Sequence, residues 1–143
     1  MRKVGIILLL ALSCNRYIPQ EIQEVQVDTL SDWQVLQMAI IMTESRFNPS
    51  AVGKSNDYGV MQITPIYVKE VNRIAGTDYS HEDAFDIDKS LEMFALMQDY
   101  HNPDHLTDRA LSLHNKGTFY PKRVKENIEL IRRMETVRKA ITK

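Results

Sequence analysis

A single cysteine, Cys14, in 143 residues excludes an internal disulfide and any cysteine-built metal cluster, so packing has to stabilise the fold. Glycine and proline are scarce, five of each, which argues against low complexity or extensive disorder. Neither sign of charge dominates, since 18 basic residues face 19 acidic ones, and that balance does not suggest nucleic acid as a partner. Long hydrophobic runs are missing too. The apolar run at residues 4–12 falls short of the roughly 18 to 20 residues that a membrane-crossing helix needs. What remains is an ordinary globular composition, 43% hydrophobic and 26% charged, of a length that suits one domain.

Arg2 and Lys3 precede that apolar run and small residues follow it, which is the pattern of a secretory signal. Export to the periplasm or cell envelope is the expectation, with residues 1–13 as signal peptide. Cys14 stands directly after Ala11-Leu12-Ser13, where a bacterial lipoprotein is cut and its cysteine acylated. The match to a lipobox is imperfect, because the order of Ala11 and Leu12 departs from it. Two readings stand: a lipidated Cys14 that attaches the protein to the membrane, or a plain signal peptide with an incidental cysteine. Loss of Arg2 and Lys3 with the signal shifts the formal charge from −1 to −3. Basic residues crowd the end of the chain from Lys122 to Lys143, as a solvated helix face or a surface attracted to anionic polymers.

Residues 14–30, polar and interrupted by Pro19, read as a tether, and residues 31–143 as the folded domain. Ser31 and Gln34 form a capping-box pattern that starts a helix over residues 32–45. That helix is apolar nearly all round, as a buried central helix is, and it ends in a carboxylate, Glu44, on the general side of Trp33 and Ile40. Turn chemistry fills residues 46–64, with residues 60–63 as a short extended piece. Thr64-Pro65 begins a short helix that Gly76 stops. Ser80, His81, Glu82 and Asp83 read as a helix cap without chemistry. A stripe of Ile87, Leu91, Phe94 and Met97 marks a helix over residues 86–100. Thr107 caps another that ends near Gly117, and Pro121 opens a long one with the stripe Val124, Ile128, Ile131, Met134 or Val137, and Ile141. The expected fold is mainly α.

Glu44-Ser45-Arg46-Phe47-Asn48-Pro49-Ser50-Ala51, followed by Gly59-Val60-Met61-Gln62-Ile63-Thr64-Pro65, resembles the catalytic domain of the soluble lytic transglycosylases (SLT). The interval between the two motifs is the family's, with Val60 for a leucine. Asn56 stands where glycine is common, a tolerable exchange because asparagine accepts left-handed backbone angles. The family's Ala-Tyr-Asn-x-Gly is echoed by Leu113-His114-Asn115-Lys116-Gly117, and its later Tyr with Val four residues on by Tyr120 and Val124. His114 in place of the tyrosine puts the role of that phenol in doubt.

The resemblance implies a lysozyme-like domain with a short irregular loop or small hairpin beside the active site. It implies peptidoglycan glycan strands as partner and Glu44 as the one catalytic acid, with no metal and no cofactor. Substrate contacts would come from Ser45, Met61, Gln62, Asn115 and Tyr120. Ser45 could equally only end its helix, and Met61 only fill the core. An acid of this kind has to stay protonated near neutral pH, which burial achieves by penalising the charged form. Most glycosidases add a second carboxylate. Asp57 is the nearest in sequence, but it lies in a turn and matches no acidic position of the family. A hydrolase using Glu44 and Asp57, and an inactive glycan-binding protein, are the alternatives. His101 and His105 flank Asp104, but Pro103 between them breaks a regular helix, so a loop is expected there rather than a metal site.

Overall fold

A computed structural model describes residues 29–141. The expected signal peptide, the lipidation site Cys14 and nearly all of the tether lie outside these residues. Five helices carry the fold: α1 (Asp32–Glu44), α2 (Pro65–Ala75), α3 (Ile87–His101), α4 (Thr107–His114) and α5 (Tyr120–Ile141), with a 3-10 helix, His81–Phe85, before α3. Among the described residues there is no strand, and no helix is long and apolar enough to cross a membrane.

α1 starts where the capping box places it. The Ser31 hydroxyl accepts from the Gln34 amide at 3.2 Å, and the Gln34 side chain accepts from the Ser31 N–H at 2.9 Å. Val35, Leu36, Ala39, Ile40 and Ile41 are buried around it, so it is the central helix of the core, packed along α5. Two polar clasps hold that pair together. At one end Glu135 accepts the Leu30 N–H at 2.9 Å while Arg132 donates to the Leu30 carbonyl and pairs with Asp32. At the other end Arg123 donates to the Thr43 carbonyl at 3.2 Å and Asn127 to the Thr43 hydroxyl at 2.8 Å.

Thr64 caps α2 with Pro65 in the first turn, and Gly76 ends it at φ 68°, where a glycine carries no steric penalty. Ser80 and Asp83 open the 3-10 helix rather than a regular α-helix, with the Asp83 carboxylate accepting both the amide and the hydroxyl of Ser80.

The structure corrects several sequence expectations. Thr107 is the first residue of α4 and not its cap, and α4 stops at His114, three residues before Gly117. Residues 60–62 form a turn instead of an extended piece, because Gln62 at φ 50° reverses the chain and donates its amide N–H to the Gly59 carbonyl. Only single-residue bridges pair Tyr58 with Val52 and with Ile63, so the small hairpin is reduced to isolated contacts. On α3 the buried face is Ser90, Met93, Phe94, Met97 and Gln98, while Ile87 is exposed. On α5 the buried line runs from Val124 through Ile131 to Glu135, leaving Met134, Val137 and Ile141 in solvent. Apolar spacing identified both helices but not the face that each turns inward, which depends on the neighbours it meets.

Candidate active site

The site is built where the end of α1 meets the loop 46–64 and the start of α5. Glu44 is the last residue of α1, and the chain turns away at once through Arg46 at φ 54° and Phe47 at φ 63°. The side chain of Ser45 is used locally: its hydroxyl donates to the Ile41 carbonyl at 3.2 Å and helps close the helix.

The loop beside Glu44 is held from within and from behind. Gly53 and Asp57 pair through the Gly53 N–H and the Asp57 carbonyl at 2.7 Å, and Asn56 takes φ 59° in the turn between them. The Asp57 carboxylate accepts the Ser55 N–H at 2.9 Å and fills the space against Gly53 where a Cβ would stand. The Gln62 amide donates to the carbonyls of Gly59 and Ala51, at 2.9 and 3.3 Å, so its NH2 group is committed to the loop. Tyr58 is stacked between the rings of His81 and Phe85, with centroids 3.9 and 4.5 Å away. His81, read from sequence as part of a helix cap without chemistry, also bonds the Ile63 carbonyl at 2.8 Å.

Met61 is wholly buried, and its carbonyl accepts the Nε2–H of His114 at 2.9 Å. The same nitrogen lies 3.6 Å from Glu44 Oε1, beyond hydrogen-bonding distance. Burial drives the His114 ring down to a pKa of about 4, so it is neutral at pH 7 with its proton on Nε2. The Glu44 side chain is 15% exposed, and burial pushes its pKa above the ordinary carboxylate value. Tyr120 and Asn115 facing the carboxylate oppose this by favouring the ionised form, Asp57 adds to the rise through its charge, and Arg123 pulls the other way. The buried Tyr120 hydroxyl completes no aligned hydrogen bond, yet it lies close enough to Glu44 that burial and that carboxylate together raise its own pKa.

The structure thus gathers Glu44, Asn115 and Tyr120 at one point, with Met61 buried in the core and tied to His114 by its carbonyl, while Ser45 and Gln62 serve their own segments. Trp33 stands elsewhere. Eleven residues back along α1, about 16 Å at the helix rise, it stacks on His105 at 4.3 Å and touches Phe94, so sharing a general side of the helix does not bring it beside the acid. His101 bonds Glu70 and His105 bonds Asp99, each histidine turned to its own carboxylate. Arg123 and Asn127 escaped the sequence reading although they lie three and seven residues after Tyr120, the spacing of one helix face. A cavity of about 410 Å³ opens beside them, lined also by Thr43, Arg46 and the half-exposed Phe47.

A largely shielded glutamate whose pKa is raised thus stands at a helix end beside a turn-rich loop. Residues 22–127 match the family described as the Transglycosylase SLT domain. Searches of the curated proteins and of the solved structures returned no match. Because that family match spans most of the chain and includes the whole site, the protein belongs to the transglycosylase SLT domain family, whose substrate is peptidoglycan.

Proposed function

We propose that the protein is a lytic transglycosylase that cleaves the β-1,4 bond between N-acetylmuramic acid and N-acetylglucosamine, with Glu44 as its acid and then its base. The observation that carries this reading is the shielding of the Glu44 side chain from solvent, which favours the protonated carboxyl and outweighs the pull of Tyr120 and Asn115 toward the ionised form. Glu44 gives its proton to the glycosidic oxygen as the bond from C1 to that oxygen breaks. The substrate's own acetamido oxygen stabilises the cationic sugar. The C6 hydroxyl then attacks C1, its proton passes to the Glu44 carboxylate, and a 1,6-anhydro ring closes without consuming water. The exposed Asn115 contacts the glycan beside the acid, while the buried Tyr120 faces the Glu44 carboxyl from the protein side.

A hydrolase on the same fold has one supporting observation, the proximity of Asp57, whose charge reaches Glu44. Its carboxylate is occupied by the Ser55 amide, which suits a turn-forming role better than holding water. Mass spectrometry of products from purified sacculi decides between them. Anhydro-muropeptides from wild type and none from Glu44→Gln are expected, a loss of at least roughly 100-fold for removing a general acid. Reducing-end products would reassign the enzyme to lysozyme-type hydrolysis, and glycan binding without turnover in wild type would make it a binding protein.

Export and lipidation of Cys14 belong to the same reading, supported by the basic start and apolar run at residues 2–12. Cells fed a labelled fatty acid should label the wild type and not Cys14→Ala; an unlabelled, processed wild type would indicate a plain signal peptide.

A further inference from the structure

The ring of His114 lies where every helix of the fold converges. Its Nε2–H is 2.9 Å from the Met61 carbonyl in the loop and 3.6 Å from Glu44 at the end of α1. Tyr67 from α2 and Phe94 from α3 meet the ring edge-on at 5.9 and 5.7 Å, and Tyr120 from α5 tilts against it at 6.2 Å. The side chain is 3% exposed, so it reaches no substrate. Packing alone does not account for an imidazole here. Its Nδ1 is buried and unpartnered among the described residues, and an orphaned buried acceptor forfeits the hydrogen bonds that it makes to water in the unfolded chain. A phenylalanine would fill the same space without that cost.

What the imidazole supplies and phenylalanine lacks is the Nε2–H. It satisfies the buried Met61 carbonyl and so ties α4 to the loop. Because that nitrogen is also the polar atom of the ring nearest to Glu44, the same bond sets how far the loop stands from the carboxyl group. We propose that His114 is a positioning residue for Glu44, holding the Met61 loop and the acid in register through one hydrogen bond. This rests on Glu44 being the acid of the reaction.

The test compares His114→Phe, which keeps a ring and loses the N–H, with His114→Gln, which keeps an N–H and loses the ring. Kinetics on soluble glycan strands and thermal melts are measured side by side. Displacement of a catalytic group by a fraction of an ångström to an ångström lowers turnover by roughly 10- to 100-fold. A kcat loss of that size for His114→Phe, with KM within about twofold of wild type and partial recovery of kcat in His114→Gln, is expected. Wild-type kcat in a folded His114→Phe would overturn the proposal. If neither variant folds, ¹⁵N NMR of the wild type against Glu44→Gln decides: a hydrogen-bonded Nε2–H whose shift moves with the substitution is expected, and an unchanged or Nδ1-protonated ring overturns the idea. A wild type that forms no anhydro product fails the assignment of Glu44 and this proposal with it, whereas an active wild type with an unaffected phenylalanine variant fails this proposal alone.

Discussion

At Glu44 the requirement of catalysis opposes stability. A carboxyl group whose pKa is raised on folding is protonated in both states below about 4.5, where it carries no penalty. As pH rises through the folded pKa, the folded protein has to ionise a shielded group and loses stability. Glu44→Gln is therefore expected to melt higher than wild type at pH 7, with the gap closing toward pH 4. Equal melting temperatures at both pH values would mean that the carboxyl is not held protonated by its surroundings. His114 has the opposite slope. Its pKa falls from 6.5 in the unfolded chain to about 4 in the fold, so the unfolded state binds the extra proton between those values. Stability should fall as pH drops through that window and level off below it, by about 3 kcal/mol at most. The difference between wild type and His114→Phe, followed by denaturant melts from pH 7 to pH 4, should shrink as the pH falls through that window, a slope opposite in sign to that of Glu44.

Among the loops, two glycines at nearly the same φ separate backbone strain from collision. Gly76 at φ 68° ends α2 in open space, with nothing within 4 Å of an added Cβ. Gly59 at φ 73° lies against the 3-10 helix, and a Cβ there would stand 1.7 Å from the Ala84 carbonyl oxygen. Gly76→Ala should cost only the left-handed strain of an L-residue, about 1 kcal/mol. Gly59→Ala has to push two backbone segments apart and should cost upwards of about 3 kcal/mol. Its loop carries the Met61 carbonyl, so activity should fall even below the melting transition. Comparable melting temperatures for the two variants would contradict the close contact.

Across the whole molecule, α5 acts as the brace. It seats Tyr120 at the site, binds Thr43 one residue before the acid, and grips Leu30 and Asp32 at the other end of α1. Glu135 is the centre of that second grip, and Arg132 first and the Leu30 N–H second hold its carboxyl below the usual range. Glu129, also on α5, makes an exposed pair with Arg133 at 3.4 Å. Glu135→Ala should lower the melting temperature clearly and Glu129→Ala hardly at all. Because a lowered carboxyl pKa gives stability above about 4.5 that is lost as pH falls, the effect of Glu135→Ala should shrink in acid. Indistinguishable variants would mean that the clasp adds nothing to the packing of α1 on α5.

The sequence by itself determined the helical class and most helix starts, because caps and turns act between residues a few positions apart. Ser31 with Gln34, Thr64 before Pro65, Gly76 and Asn56 all took the conformations that their chemistry demands. The family motifs also pointed to Glu44, Asn115 and Tyr120, which the fold brings together. Tertiary structure alone decided what surrounds the acid. A helical angle put Trp33 on the side of Glu44, but angle says nothing of the distance along the axis, and His105 and Phe94 claim that ring. His114 read as a departure from a motif, and only burial among five helices gave it a neutral ring and a fixed tautomer. Met134 and Val137 fitted a stripe as well as Ile131 did, yet Glu135 took the buried place because Leu30 and Arg132 satisfied its charge. Local chemistry is written in neighbouring residues, whereas burial and pKa depend on which distant groups arrive, and those are settled when the helices pack.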